Sequence, residues 1–205
     1  MKLLVVRAHP LDSTRSRSMR MVDTFIEGFR AKHPDALVED INLYNAAVPE
    51  IDIDLITGWD ALRSGEAFIH LTPTQQAKLT LFENYTMQFL SADVVVVANP
   101  LWNLSIPTRL KAWIDTVCRA GVTFRYNEKG EAEGLAGGRT VVHLQASGGH
   151  FNGEDPACKY LRAMFTFLGC RYEELTAEGM DHEPDRAEEI MAEALDKARE
   201  LGESL

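Results

Sequence analysis

Three short segments combine side chains and backbone freedom suited to a small ligand that is anionic at one end and flat at the other. In His9–Ser18, the hydroxyls of Ser16 and Ser18 stand beside Arg15 and Arg17, just ahead of a helical pattern. Free N–H groups at a helix start, the positive end of its dipole and the arginine charges together suit an anion. A plain N-cap with solvated arginines accounts for the same residues if this loop is taken alone. The second segment, Pro100-Leu101-Trp102-Asn103-Leu104, offers Trp102 for stacking and Asn103 for directed hydrogen bonds. A buried tryptophan followed by a turn-forming asparagine is the structural alternative. In the third, Ala146-Ser147-Gly148-Gly149, paired glycines let backbone approach a flat molecule closely, or simply form a flexible turn.

Other chemistries find less support. The first loop lacks both GxGxxG and GKS/T, which excludes the dinucleotide fingerprint and the Walker loop. Ser147 is not in a GxSxG elbow, so a hydrolase has little behind it. His33, His70, His143 and His182 are scattered, without carboxylate or histidine partners at ligand spacing, and no metal site is expected. His150, directly after the double glycine, could protonate a substrate, although a solvent-facing loop histidine explains it as well. The cysteines, Cys118, Cys158 and Cys170, form no CxxC pattern and are expected to be reduced thiols.

Composition sets the class. At 205 residues one α/β domain, spanning 1–205, is expected. A formal charge of −10 argues against nucleic acid or an anionic membrane as partner, though not against a small anionic ligand. No segment approaches a membrane span or a signal-peptide core, so a cytoplasmic location is expected.

The elements that must position the three segments follow from periodicity. Leu3–Val6 and Val94–Ala98, the latter β-branched at four positions, are short apolar runs of the kind buried on both faces of a parallel sheet. Asn99 and Pro100 are expected to end the second run. Ser105, with Pro107 in the first turn, is expected to cap the helix that follows. Weaker strands are read at 37–43, 140–144 and 171–175, with helices over 15–31, 73–90, 106–117, 160–168 and 184–201. Thr72-Pro73-Thr74-Gln75 is a capping box. Residues 44–72 read as irregular, and 127–138 as a glycine-rich acidic loop. Strands alternating with helices make one doubly wound, five-stranded parallel sheet with helices on both faces. In such a sheet the loops after the first, third and fourth strands open on one edge, where ligands bind. One loop for a phosphate and two for a planar heterocycle describe a mononucleotide with an aromatic ring system. Flavin mononucleotide (FMN) is the obvious candidate.

The segments PLWNLSIPTRLKAWID, RAGVTFRYNEKG, EGLAGGR and ASGG make the chain resemble the FMN-dependent NADH:quinone oxidoreductases, also called FMN-dependent azoreductases. The resemblance covers nearly the whole chain; PLWN and AGVTFRY are its specific part. It implies a flavodoxin-like fold and a homodimer with each flavin near the subunit interface. By position, it assigns Ser16, Arg17 and Ser18 to the phosphate, and Leu101, Trp102, Asn103 and Leu104, after Pro100, to the isoalloxazine. The Asn103 N–H is then expected near the flavin N5. Ala146, Ser147, Gly148 and Gly149 go to the pyrimidine end, and Phe124 and Tyr126 to the substrate pocket, with His150 beside it. His9 stands where members often have serine, in a loop one residue longer than in some of them.

The resemblance further implies that NADH and a quinone or azo compound use one site in turn, in a two-electron ping-pong cycle. Flavin-centred chemistry of this kind requires no dedicated catalytic acid from the protein. A flavodoxin-type electron carrier fits the acidity, and a flavin-free binding module fits the fold, since this fold hosts many functions. The aromatic pair Phe124/Tyr126 and the long 44–72 segment favour the enzyme.

Overall fold

The computed structural model describes residues 1–205. Its strands are β1 (Lys2–Arg7), β2 (Leu37–Asn42), β3 (Val94–Pro100), β4 (Phe124–Tyr126), β5 (Ala132–Gly134), β6 (Thr140–Ala146) and β7 (Arg171–Ala177). Its helices are α1 (Arg17–Lys32), α2 (Ile53–Arg63), α3 (Pro73–Ser91), α4 (Thr108–Val117), α5 (Pro156–Phe167) and α6 (Ala187–Ser204). Five strands form one parallel sheet in the order β2-β1-β3-β6-β7, while β4 and β5 make a separate antiparallel hairpin. This is the flavodoxin-like arrangement, in which the order reverses between β1 and β3.

Alternation along the strands divides the core. Leu4, Val6, Val95, Val97 and Val141 face Phe89, Trp113, Leu161 and Phe165 from α3, α4 and α5. Leu3, Val5, Val96, Val142 and Leu144 face Val22, Phe25, Phe29, Ala194 and Ala198 from α1 and α6. Every residue of β3 is buried, as its β-branched run requires. No helix is long and apolar enough to cross a membrane.

Several expectations need correction. Residues 44–72 are not irregular. They contain α2, whose N-cap Asp52 accepts from the N–H groups of Asp54 and Leu55 (3.1 Å each), and a 3-10 turn at Phe68–His70. Lys78 of α3 pairs with Asp52 and Asp54 and ties the segment down. Because α2 buries only Leu55 and Gly58, it lacks the apolar stripe that marks a helix in sequence. Residues 127–138 are not simply a loop, since β5 lies within them. Asn127 Oδ1 accepts from the N–H groups of Lys129 (2.9 Å) and Glu131 (3.0 Å), forming a side-chain-closed turn. Pro100 does not stop β3 short; it is the strand's last residue, paired with Ala146. Helix α5 begins at Pro156, capped by Asp155, rather than at Tyr160. Residues 184–186 form a separate 3-10 turn before α6.

Helices α1 and α6 approach closely through glycine. A Cβ on Gly28 would collide with the Arg199 carbonyl oxygen, a backbone atom with no rotamer to move away. Gly28→Ala is therefore expected to destabilise the fold by about 1–3 kcal/mol, the usual cost of overpacking. Urea unfolding should show a lower midpoint with an unchanged slope.

Candidate functional site

At the carboxyl edge of the sheet, between β1, β3 and β6, lies a cavity of about 380 Å³. It is lined by His9, Ser16, Arg17 and Ser18, by Pro100, Leu101 and Trp102, and by Ala146, Ser147 and Gly148. Arg15 and Asp181 complete the wall. The volume falls within the range of small-molecule sites. The parallel ladders place these loops together: Leu101 N–H donates to the Ala146 carbonyl (3.0 Å), and Ser147 N–H to the Ala177 carbonyl (2.9 Å).

One end of the cavity suits an anion. Ser16 caps α1, its Oγ accepting from Met19 N–H at 3.4 Å and lying 3.3 Å from Ser18 Oγ. The first-turn N–H groups of Arg17 and Ser18 have no helical acceptor and point outward at the positive end of the helix dipole. Arg17 Nη1 donates to Asp181 Oδ1 at 2.7 Å, so one of the two arginines is already paired. Asp181 in turn lies over Gly148, where a Cβ would collide with Asp181 Oδ2. Glycine there leaves room for that carboxylate in its present rotamer.

The other end is aromatic. Trp102, 40% exposed, has its ring centroid 5.4 Å from that of His9 and 6.4 Å from that of Tyr44, in an edge contact. Burial pushes the His9 pKa below the ordinary histidine value. Its Nδ1 accepts from Leu11 N–H (2.9 Å), which leaves the Nε2–H as the donor a ligand could meet.

Ser105 does not cap α4 as expected; that helix starts at Thr108 after Pro107, without a side-chain cap. Instead Ser105 and Trp102 exchange both backbone hydrogen bonds, at 3.1 and 2.9 Å, across a two-residue turn. Asn103 (φ 51°) and Leu104 (φ 60°) both occupy the left-handed region. Two such residues in succession make the geometry of a type I′ turn. Leucine there is uncommon, and such strain clusters at ligand sites. The N–H groups of Asn103 and Leu104 are left without partners.

Asn103, Leu104 and Gly149 adjoin the cavity in sequence but are not part of its wall, and His150 is not either. His150 pairs with Glu183 (Nε2–Oε1 2.8 Å) and faces His182. Phe124 packs on Phe167 at 4.8 Å, and Tyr126 stands largely exposed on the β4–β5 hairpin; neither lines the cavity of its own chain.

Comparison with known proteins identifies the family and the fold. Residues 1–201 match a protein family described by its flavodoxin-like fold. The chain is 40% identical over 210 residues to an FMN-dependent NADH:quinone oxidoreductase of Staphylococcus haemolyticus, covering 99% of each chain. It is 41% identical over 207 residues to one of Geobacillus kaustophilus, covering 98% of this chain and 97% of that one. The chain belongs to the FMN-dependent NADH:quinone oxidoreductase family. Its fold superimposes on the crystal structure of an azoreductase from Bacillus anthracis with a TM-score of 0.91, at 32% identity and full coverage of both chains. A B. anthracis FMN-dependent NADH-azoreductase in complex with FMN gives 0.87, again at 32% identity, covering 98% of this chain and 99% of that one.

The donor set fits the family's cofactor. Hydroxyls and free N–H groups suit a phosphate monoester, and the unpartnered N–H groups of Asn103 and Leu104 suit the acceptor atoms of a flavin ring. Sequence reading placed Arg15 at the anion end, where it lies, but missed Tyr44 and Asp181. Tyr44 and Asp181 follow β2 and β7, whose loops open on the same edge, so extending the search to every strand end would have found them.

Glu178 holds the loop after Gly149. Its carboxylate accepts from the N–H groups of Phe151 (2.5 Å), Asn152 (2.7 Å) and Gly153 (2.8 Å). Burial works to raise its pKa, but these three donors outweigh it and hold the carboxyl below the ordinary glutamate value. A depressed carboxyl contributes stability above the unfolded-state value of about 4.5, and that contribution is lost as pH falls through the folded value. Glu178→Gln is therefore expected to unfold at lower urea than the native protein at pH 7. The gap should close as pH is lowered below about 4.5.

Proposed function

We propose that this protein is an FMN-dependent oxidoreductase that takes hydride from NADH and reduces quinones or azo compounds in a two-electron ping-pong cycle. The observation that carries this is the cavity, which joins an anion cradle at Ser16, Arg17 and Ser18 to an aromatic, donor-rich wall. It lies in a chain 40% identical over nearly its full length to a family member. FMN, when bound, supplies the hydride and electron transfer that no side chain here can perform.

The chain's residues bind, orient and gate. The first-turn N–H groups of α1 and the Ser16 and Ser18 hydroxyls would hold the phosphate. Trp102, with Asn103 and Leu104 turned by their positive φ, would support the ring, and Ala146, Ser147, Gly148 and Gly149 would bring backbone to it. A flat ligand seated between these two loops would leave donor and acceptor to share the rest of the cavity in succession, as a ping-pong cycle requires.

The working unit is a cytoplasmic homodimer. In support, α2 and its neighbours expose Ile53 (70%), Ile69 (77%), Ile51, Ile56 and Phe68. A second copy covering these side chains would remove that apolar surface from water. Phe124, Tyr126 and His150 are the substrate-side residues, and the exposed hairpin is available to the partner's site.

Ser16→Asp tests the cofactor site without unfolding α1, because aspartate caps a helix as well as serine. Its carboxylate would repel a phosphate about 4 Å away by about 4 kcal/mol at an effective dielectric of about 20, so FMN affinity should fall by at least about a hundredfold. Fluorescence titration of the apoprotein with FMN reads this directly. Unchanged affinity would place the phosphate elsewhere. Initial-rate plots at several fixed quinone concentrations should give parallel lines; intersecting lines would mean that NADH and quinone bind together.

A further inference from the structure

Behind the cavity, the apolar alternation of the sheet is broken. His143 and Gln145 on β6 and Asn99 on β3 are all fully buried on the face covered by α5, where valine or leucine would satisfy the sheet equally well. With β7 and α5 they form one continuous hydrogen-bonded row.

Chemistry fixes the polarity of that row. Asp155 uses Oδ1 to accept the N–H groups of Ala157 (2.8 Å) and Cys158 (3.0 Å), and as a carboxylate can only accept. Gln145 Nε2 therefore donates to Asp155 Oδ2 at 2.8 Å, which turns Gln145 Oε1 toward Asn99. Asn99 Nδ2 then donates to Gln145 Oε1 (3.2 Å) and to the Pro100 carbonyl (3.0 Å), presenting Oδ1 to His143. His143 Nε2, 2.9 Å from that oxygen, must carry a proton.

The other side of the ring settles its charge. Tyr172 Oη lies 2.9 Å from His143 Nδ1 and 3.0 Å from Glu174 Oε2. A phenol has one proton, so it can bridge a neutral histidine and a carboxylate on one side only. Both contacts are made when one further proton is present, on Nδ1: His143 donates to Tyr172 and Tyr172 to Glu174. Arg162 Nη2 donates to Glu174 Oε1 at 2.9 Å and keeps the carboxylate ionised. Burial favours the protonated form of Glu174, but His143, 3.7 Å away, and the hydrogen bonds from Arg162 and Tyr172 outweigh it and hold its pKa below the ordinary value. The nearby Cys158 thiol, 4.0 Å from Nδ1, is pushed up by burial and adds no charge.

We propose that His143, doubly protonated between Asn99 and the Tyr172–Glu174 pair, is a positioning residue for the flavin ring. Through Asn99 it fixes the Pro100 carbonyl and hence the Leu101–Leu104 turn, and through Gln145 and Asp155 the far end of the 147–155 loop. The Nε2 proton orients the row, because a histidine lacking it would leave Asn99 Oδ1 unpartnered in the interior. The Nδ1 proton joins the row to Tyr172 and Glu174 and so anchors it on β7. The row touches neither the α1 terminus nor Ser16 and Ser18. Its role is confined to the ring half of the site, and it rests on FMN being the resident cofactor.

The test uses two readouts. In the native protein, long-range nitrogen–proton NMR of His143 should show both ring nitrogens protonated; an unprotonated Nδ1 would overturn the proposal. Tyr172→Phe, which removes one hydroxyl, and His143→Gln should each weaken FMN binding about tenfold, the scale of one lost buried hydrogen bond. The inhibition constant of inorganic phosphate as a competitor for the same site should stay unchanged. FMN affinity unaltered in Tyr172→Phe, or FMN and phosphate affinities falling together, would reduce the row to a support of the fold and overturn the proposal. If the native protein bound no FMN at all, the cofactor assignment would fail instead, and with it the role given to His143.

Discussion

Parallel pairing of β1, β3 and β6 is the constraint from which the rest follows. Parallel strands send all their carboxyl ends to one edge, and the strand order reverses between β1 and β3, so the loops there part and leave a crevice. The ladder runs on past the strands: Ala8 N–H donates to Ala98 (2.8 Å), Leu101 to Ala146 (3.0 Å) and Ser147 to Ala177 (2.9 Å). Each ligand-facing loop therefore springs from a residue whose backbone is fixed. A site for a long, flat ligand needs such fixed points several residues apart in space, and side chains on a single loop could not provide them.

The same constraint explains why polarity is tolerated inside the sheet. His143, Gln145 and Asn99 sit on neighbouring strands in register, Gln145 directly opposite Asn99 and His143 opposite Glu174. Each group's hydrogen-bonding capacity is met by the next, which a lone polar residue at any of these positions could not achieve. Removing one member would leave its neighbour buried without a partner. Such a row is costly to break and holds the loops above it in one arrangement. The exposed ion pair between Arg17 and Asp181 is different in kind. It is screened by solvent and contributes little to the fold, but it shapes the anion end of the cavity.

Much of this was legible in sequence where local physics decides. The apolar runs at Leu3–Val6 and Val94–Val97, the Thr72–Gln75 capping box and the serine-rich entry to α1 carry their signals within a few residues. Four features escaped for reasons that are also physical. Helix α2 is fixed by Asp52 and Lys78 rather than by an apolar stripe. The Trp102–Ser105 turn uses Asn-Leu, without the glycine that usually announces two positive φ angles. Spacing along the chain cannot detect a cross-strand partner: His143 meets Glu174, Tyr172 and Asn99 through the sheet, 29 residues or more away. Asp181 was overlooked for a similar reason, since it reaches the cavity across 164 residues of sequence.

The central claim is that this cavity holds FMN with its working face open to a nicotinamide donor. The most direct measurement is the visible absorbance of the purified protein after FMN addition and desalting, followed by anaerobic titration with NADH. The account predicts retained flavin absorbance that bleaches completely with one equivalent of NADH and returns on adding a quinone. Retained flavin that NADH leaves oxidised would contradict it and point to a carrier reduced by another protein. No retained flavin would return the three loops to ordinary turns.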